Sequence, residues 1–304
     1  MDKILTKITS FHPKFWLTWV GFGLLRILVF LPFGLLMSLG RIIGFFIRKT
    51  AKRRVKIARV NLKKCFPEYK DNQIEKLIID HFSSIGMGIM DFIIAWWWPT
   101  KRMEKLLEIE GEENINRALK DGKGVIFYSA HFTSLEVGCR IPKRITAMSA
   151  MYRPNENPVI QKFLVKNRER YLEKTIPRDN VRMMLKVLQK NKVVWFAPDQ
   201  NYGLKNSVFA KFFKIPAATN IATSRFAEIT GAKVVPFVVL RKKKGGYKMI
   251  IEPSLDNFPS TDVEFDANRL NQLIENWVLL APEQYNWMHR RFKDRPENEM
   301  SFYQ

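Results

Sequence analysis

From about residue 107 to about residue 281, short apolar runs alternate with stretches of helical period, and this alternation restricts the fold more than any other feature of the chain. Candidate strands fall at 124–129, 145–152, 192–197, 233–239 and 247–252. Candidate helices fall at 113–120, 134–140, 157–173, 179–190, 217–230 and 265–281. The expectation is an α/β fold, a mostly parallel mixed sheet with helices on both faces, because parallel neighbours need crossovers and crossover helices pack back onto the sheet. Gly231 is placed to end a helix, and Lys242–Tyr247 reads as a hairpin tip. No internal repeat or low-complexity linker interrupts the pattern.

Ahead of this region the chain is nearly all apolar from Phe15 to Gly40, broken by Arg26 and Pro32. A helical run of about 26 residues is long enough to cross a bilayer. Arg26 near its middle costs roughly 2.5–3.5 kcal/mol on an insertion scale, which the neighbouring Leu, Ile, Phe and Val offset. No small-residue cleavage site follows, so the segment does not read as a signal peptide. The next residues, Ile47 to Arg54, are strongly basic and put the main domain on the cytoplasmic side by the positive-inside rule, although Lys3, Lys7 and Lys14 weigh against it. A kinked helix lying in one leaflet fits the same composition. The expected division is therefore a membrane-anchoring segment at 1–47 and a catalytic-size domain at 48–304. Between them lie a basic helix ending near Pro67 and a helix of period 3.6 opening at Asn72. That second helix runs toward Trp96-Trp97-Trp98, three rings that fit an interfacial anchor, a core or the wall of an acyl pocket.

Charge narrows the partners. The chain carries 51 Lys and Arg against 29 Asp and Glu, a formal net charge of +22. Anionic partners follow: nucleic acid, an anionic membrane, a phosphorylated lipid or an acidic protein. The basic residues are scattered rather than striped, which argues against nucleic acid. Cys65 and Cys139 lack metal-ligand spacing and fit a reducing compartment.

The residues with chemical promise follow the first buried strand. Val125–Tyr128 leads through small residues to His131, and a carboxylate follows at Glu136. Five helical residues turn through about 500°, so the two share no helical face. If His131 precedes the helix at the strand's carboxyl end, Glu136 reaches back to the imidazole. The result is a His–carboxylate dyad where open α/β sheets place ligands. His289 and Asp294 repeat the spacing in a basic stretch without a strand before it, so His289 reads as a surface or substrate-contact residue. His81 and His12 lack such surroundings. Arg153 follows a strand and opens a helix on which Arg168 lies; guanidinium groups there suit phosphate or carboxylate. Asp199 ends another buried strand, again on the ligand edge of the sheet. There is no G-x-S-x-G elbow, Walker loop or G-x-G-x-x-G after a strand, and no cofactor or metal is expected, so direct attack by an activated alcohol fits better than a covalent enzyme intermediate.

His131–Glu136, Tyr152–Pro158, Ala197–Gly203, Ser207–Phe209, Ala217–Thr219 and Ala281–Lys293 occur in order, with Arg295-Pro296 closing the chain. This set resembles the late acyltransferases of lipid A biosynthesis, the lauroyl/myristoyl transferase family, over nearly the full length and most closely its lauroyl-type member. The resemblance implies a glycerolipid-acyltransferase-like fold, a donor acyl chain on acyl carrier protein, an acceptor hydroxyl on a Kdo-bearing lipid A precursor, and a bacterial inner-membrane enzyme facing the cytoplasm. It also implies that His131 is a general base partnered by Glu136, and that Arg168 and Asp199 occupy positions needed for activity. Glu136 replaces the Asp of the wider superfamily, and Asn201 stands where many members have Asp. The Pro-Glu-Gly-Thr block of glycerophosphate acyltransferases is missing. Two other readings remain: a same-fold enzyme acting on another membrane glycolipid or phospholipid, such as a mannosylated phosphoinositide, and a non-catalytic basic membrane-associated binding protein.

Overall fold

A computed structural model describes residues 12–141 and 145–303. The apolar amino-terminal run forms two helices, α1 (Trp16–Leu28) and α2 (Phe33–Thr50), rather than one. Pro32 makes the break: it caps α2 in an extended conformation, has no N–H to continue α1, and disfavours helical backbone at Leu31. At 1.5 Å per residue α1 is about 20 Å long, short of a hydrocarbon core of about 30 Å. The expected membrane-spanning segment at 15–40 is thus replaced by a helical arm. A 14-residue helix, α3 (Lys52–Cys65), follows, and then the 27-residue α4 (Asp71–Trp97). Among the described residues α4 alone is long and apolar enough to cross a membrane, and most of it is buried within the protein.

The arm is fastened to α4 through glycines. A Cβ on Gly86 would lie 2.0 Å from the Gly40 carbonyl oxygen, and one on Gly44 would lie 2.2 Å from the Phe82 carbonyl oxygen. Backbone therefore meets backbone, and larger side chains are excluded at this crossing. The tryptophans at the end of α4 are mostly core: Trp96 and Trp98 are buried, and Trp98 Nε1 donates to the Val29 carbonyl at 2.9 Å.

After a short α5 (Thr100–Glu104) comes the α/β body: β1 (Leu107–Glu110), α6 (Glu113–Leu119), β2 (Val125–Tyr128), β3 (Met148–Tyr152), α7 (Pro158–Arg168), β4 (Lys174–Pro177), α8 (Val181–Leu188) and β5 (Val193–Phe196). A hairpin of β6 (Ser207–Phe212) and β7 (Ile215–Asn220) precedes α9 (Ala222–Thr230), β8 (Lys233–Arg241), β9 (Tyr247–Ile251) and α10 (Val263–Leu280). Seven strands form one sheet in the order β1-β9-β8-β2-β5-β3-β4. Every neighbouring pair is parallel except β8 with β9. Alternate residues of β2 enter different cores: Ile126 and Tyr128 join α3, α8 and α10, while Val125 and Phe127 join α2, α6 and the end of α4. Both faces are covered, as the fully apolar strands require.

Three expectations shift. Residues 134–140 form a 3₁₀ turn, Leu135–Arg140, instead of an α-helix. The expected helix at 217–230 begins only at Ala222, because Ile215–Asn220 pairs with β6 across a tight turn whose residues, Phe213 and Lys214, have φ of 49° and 64°. Pro216 is tolerated because the hairpin is two-stranded and so leaves an edge free of ladder bonds. β1 and β4, unforeseen, are four-residue strands at the two edges of the sheet.

Candidate active site

Strand register builds the centre. β2 and β5 are parallel neighbours with Tyr128 opposite Phe196, and Ser129 N donates to the Phe196 carbonyl at 3.0 Å. Three residues beyond each strand stand His131 and Asp199, still in step. The His131 backbone N–H donates to Asp199 Oδ2 at 3.1 Å, and His131 Nδ1 lies 2.5 Å from Asp199 Oδ1. The Asp199 side chain is 1% exposed and that of His131 31%. Burial lowers the His131 pKa, but the Asp199 charge and hydrogen bond outweigh it, leaving the imidazole above its ordinary value. Burial likewise raises Asp199, and His131 more than reverses it, leaving the carboxyl below its ordinary value. An ionised carboxylate only accepts, so Nδ1 carries the proton that it donates to Asp199. Nε2 then keeps its lone pair.

The loop carrying His131 is clamped from two sides. The carboxyl-terminal strap holds it through Thr133 N to the Gln284 carbonyl at 2.8 Å and Asn286 N to the His131 carbonyl at 3.0 Å. Behind it, Arg241 at the end of β8 is ion-paired with Asp91 of α4 and donates to the hydroxyls of Ser84 and Thr133. Tyr247 donates to the other Asp91 oxygen at 2.6 Å. Gly88 of α4 passes so close that a Cβ there would meet the Thr133 carbonyl oxygen at 2.6 Å.

Glu136 does not reach back to the imidazole. The 3₁₀ turn aims it away from His131, toward α4 and α7, where it is 2% exposed. Arg168 grips it with two bonds, Nε to Oε1 at 3.0 Å and Nη2 to Oε2 at 2.6 Å. Trp96 Nε1 donates to Oε1 at 2.7 Å. The carboxylate on His131 is that of Asp199, and Glu136 fixes Arg168 instead. Burial lowers the Arg168 pKa, yet its bonds to Glu136 prevail and hold it above its ordinary value.

A cavity of about 470 Å³ opens beside the dyad, walled by His131, Arg168, Leu135, Leu164, Trp195 and Phe196. Arg153 is exposed at its rim. Arg178, which no sequence signal singled out, and Tyr202, from the Ala197–Gly203 block, complete the polar side. His289 also lines it and accepts the Asn201 N–H at 2.9 Å; burial pushes its pKa down to about 4. It makes no pair with Asp294, so the repeated spacing forms no second dyad. Asn201 Oδ1 accepts from Gly203 N at 3.0 Å, the work of a turn residue. His81 is buried elsewhere, donating from Nδ1 to the Glu283 carbonyl at 3.1 Å, and Cys65 and Cys139 are buried and unbridged.

A His–carboxylate pair open to a basic-rimmed cavity suits activation of an alcohol. The family model for the bacterial lipid A biosynthesis acyltransferases matches residues 5–294. This chain belongs to that family. It is an acyltransferase, 40% identical to the lipid A biosynthesis palmitoleoyltransferase of Escherichia coli (strain K12) over 96% of each chain. To the lauroyltransferase of the same organism it is 39% identical, again over 96% of each. Identities this close do not rank the two acyl specificities. A solved 1-acyl-sn-glycerophosphate acyltransferase from Thermotoga maritima aligns with 81% of the acyltransferase and 97% of its own chain, at TM-score 0.38 and 14% identity.

Proposed function

We propose that the enzyme moves a fatty acyl chain from the thioester of acyl carrier protein to a secondary hydroxyl of a Kdo-bearing lipid A precursor, with His131 as general base. The pairing of His131 with buried Asp199 at the mouth of the cavity carries this reading. Nε2 takes the hydroxyl proton as the oxygen attacks the thioester carbonyl. The tetrahedral intermediate expels the thiolate, which takes that proton from the imidazolium and leaves as the thiol. Asp199, rather than Glu136, stabilises the imidazolium between the two steps. Base catalysis of this kind is worth about 10²–10⁴-fold. Arg168, held rigid by Glu136, and Arg153 at the rim bind anionic oxygens of donor or acceptor. Leu135, Leu164, Trp195 and Phe196 give the acyl chain an apolar wall.

The enzyme works at the cytoplasmic face of the bacterial inner membrane. Trp16, Leu17, Val20, Leu24, Ile27 and Phe30 of the arm are all more than half exposed, an apolar strip that water does not favour. At about 0.8 kcal/mol per buried CH₂, a multi-chain lipid is not extracted cheaply, so the acceptor is met in the bilayer.

The test is a membrane-fraction assay with the Kdo-bearing tetraacyl precursor and carrier proteins of several chain lengths, comparing wild type with His131→Ala. The expected result is a mass gain of one acyl chain by wild type alone. Near-normal turnover by His131→Ala would sink the mechanism; no gain with any donor would move the acceptor to another glycolipid or phospholipid.

A further inference from the structure

A second concavity lies on the other side of the strap that walls the active site. It encloses about 390 Å³ between α3 and the carboxyl-terminal segment, with Lys52, Arg53 and Lys56 on one side and Arg290 on the other. Its floor is apolar, made by Ile57 and Val60. Elsewhere on α3, Arg59 pairs with Glu75 at 2.6 Å and Lys63 with Asp71 at 2.7 Å, while Lys64 stands over the Phe302 ring at 4.5 Å. The four groove cations have no acidic partner among the described residues. Arg290 instead stands over the Tyr303 ring at 5.8 Å, and Arg54 ties the groove to the strap by donating to the Met288 carbonyl at 3.2 Å.

We infer that this groove docks the acidic protein that carries the donor thioester, through an acidic amphipathic helix of that protein. The inference rests on the carrier-borne donor proposed above and adds where the carrier sits. Two observations favour a protein helix over a lipid phosphate. A phosphate is a compact ligand that wants several N–H donors converging on one point. Here the cations stand on opposite sides of a concavity with an apolar floor, which matches a helix bearing acids along its edges and a few apolar side chains beneath. The second observation is position. His289 lines the catalytic cavity and Arg290, the next residue, lines the groove. Adjacent Cα atoms are about 3.8 Å apart, so a carrier seated there holds its thioester arm at the edge of the cavity.

The experiment uses the full-length enzyme in detergent with Lys56→Glu, Arg290→Glu, the double variant, and Lys190→Glu as an exposed control. It measures binding of fluorescently labelled acyl carrier protein, then turnover with acyl carrier protein and with the coenzyme A thioester of the same chain. The groove variants should weaken carrier binding and raise its KM at least tenfold, and the double variant more. Their kcat, acceptor KM and coenzyme A thioester KM should stay at wild-type values, as should the melting temperature. Wild-type carrier binding should also weaken with salt, and less so in the double variant. Unchanged carrier binding in the double variant overturns the docking site. A rise in acceptor KM alone reassigns the groove to the lipid's phosphates. Equal losses with every substrate, with a lowered melting temperature, make it a structural wall. A wild type that neither binds the carrier nor prefers its thioester overturns the donor reading as well, whereas a wild type that prefers it beside variants that still bind overturns the groove alone.

Discussion

Asp199→Asn changes one atom in the buried half of the dyad. Asp199 accepts two bonds from His131, from the backbone N–H and from Nδ1, with one oxygen each. An amide offers a single acceptor oxygen, so one of the two is lost, and its NH₂ favours the wrong tautomer. At an effective dielectric of about 20, unit charges roughly 3 Å apart attract by about 5 kcal/mol. Burial of the pair offsets part of this and leaves a few kcal/mol, and each 1.36 kcal/mol is about tenfold in rate. The expected fall in kcat/KM is therefore about 10²–10⁴-fold, the range of general base catalysis. The pH profile sharpens the test. The base must be unprotonated, so activity is lost on the acid side as His131 gains its proton. With Asp199 present that limb lies above 6.5, because its charge and bond outweigh burial. In the variant burial and the nearby Arg168 remain, both lowering the pKa, so the limb moves below 6.5. The deficit should be larger at pH 8 than at pH 5.5. Steady-state kcat/KM across that range decides it: a loss under tenfold, or a limb that stays in place, refutes the assignment of Asp199 as the partner.

Other perturbations separate structure from chemistry. Glu136→Gln strands Arg168 with no buried counter-charge, so it should destabilise the fold by about 3–5 kcal/mol in urea melts and raise KM through a loosened Arg168; full stability with an unchanged KM would remove Glu136 from the account. His81 has its pKa pushed down to about 4 by burial against an ordinary 6.5. Between those values the unfolded chain takes a proton that the native state refuses, so stability is lost as the pH drops, at roughly 1.36 kcal/mol per unit. His81→Gln should shrink the difference between urea midpoints at pH 7 and pH 4.5, and an unchanged difference would remove His81 from the account. Gly86→Val forces α2 away from α4, and an unfolding loss of about 1–3 kcal/mol or more is expected; a neutral effect would mean that the crossing is loose.

Periodicity exposed the central strands and most helices because those segments are long or apolar at every position. What it missed were edge strands and the hairpin, where Ile215–Asn220 has a composition that suits helix or strand equally and only pairing decides. His131 and Asp199 were each legible as residues ending a buried strand. Their partnership was not, since it depends on β2 and β5 being neighbours although β3 and β4 lie between them in the chain. The local spacing from His131 to Glu136 favoured the wrong carboxylate, because a 3₁₀ turn rotates side chains by a different angle from an α-helix. Arg178 carried no signal, as nothing local distinguishes it from other surface residues.

The glycine crossing of α2 over α4 has a mechanical consequence. An anchor joined by a pliable linker lets a catalytic head bob and swivel over the bilayer. Here the arm's second helix lies backbone against backbone on α4, and α4 in turn abuts the loop of His131 through Gly88. Close backbone contacts thus run from the arm's second helix through α4 to the loop of His131. On the proposed reading, in which the arm lies in the bilayer, its depth and tilt are passed on to the cavity and set the height above the lipid at which a hydroxyl is reached.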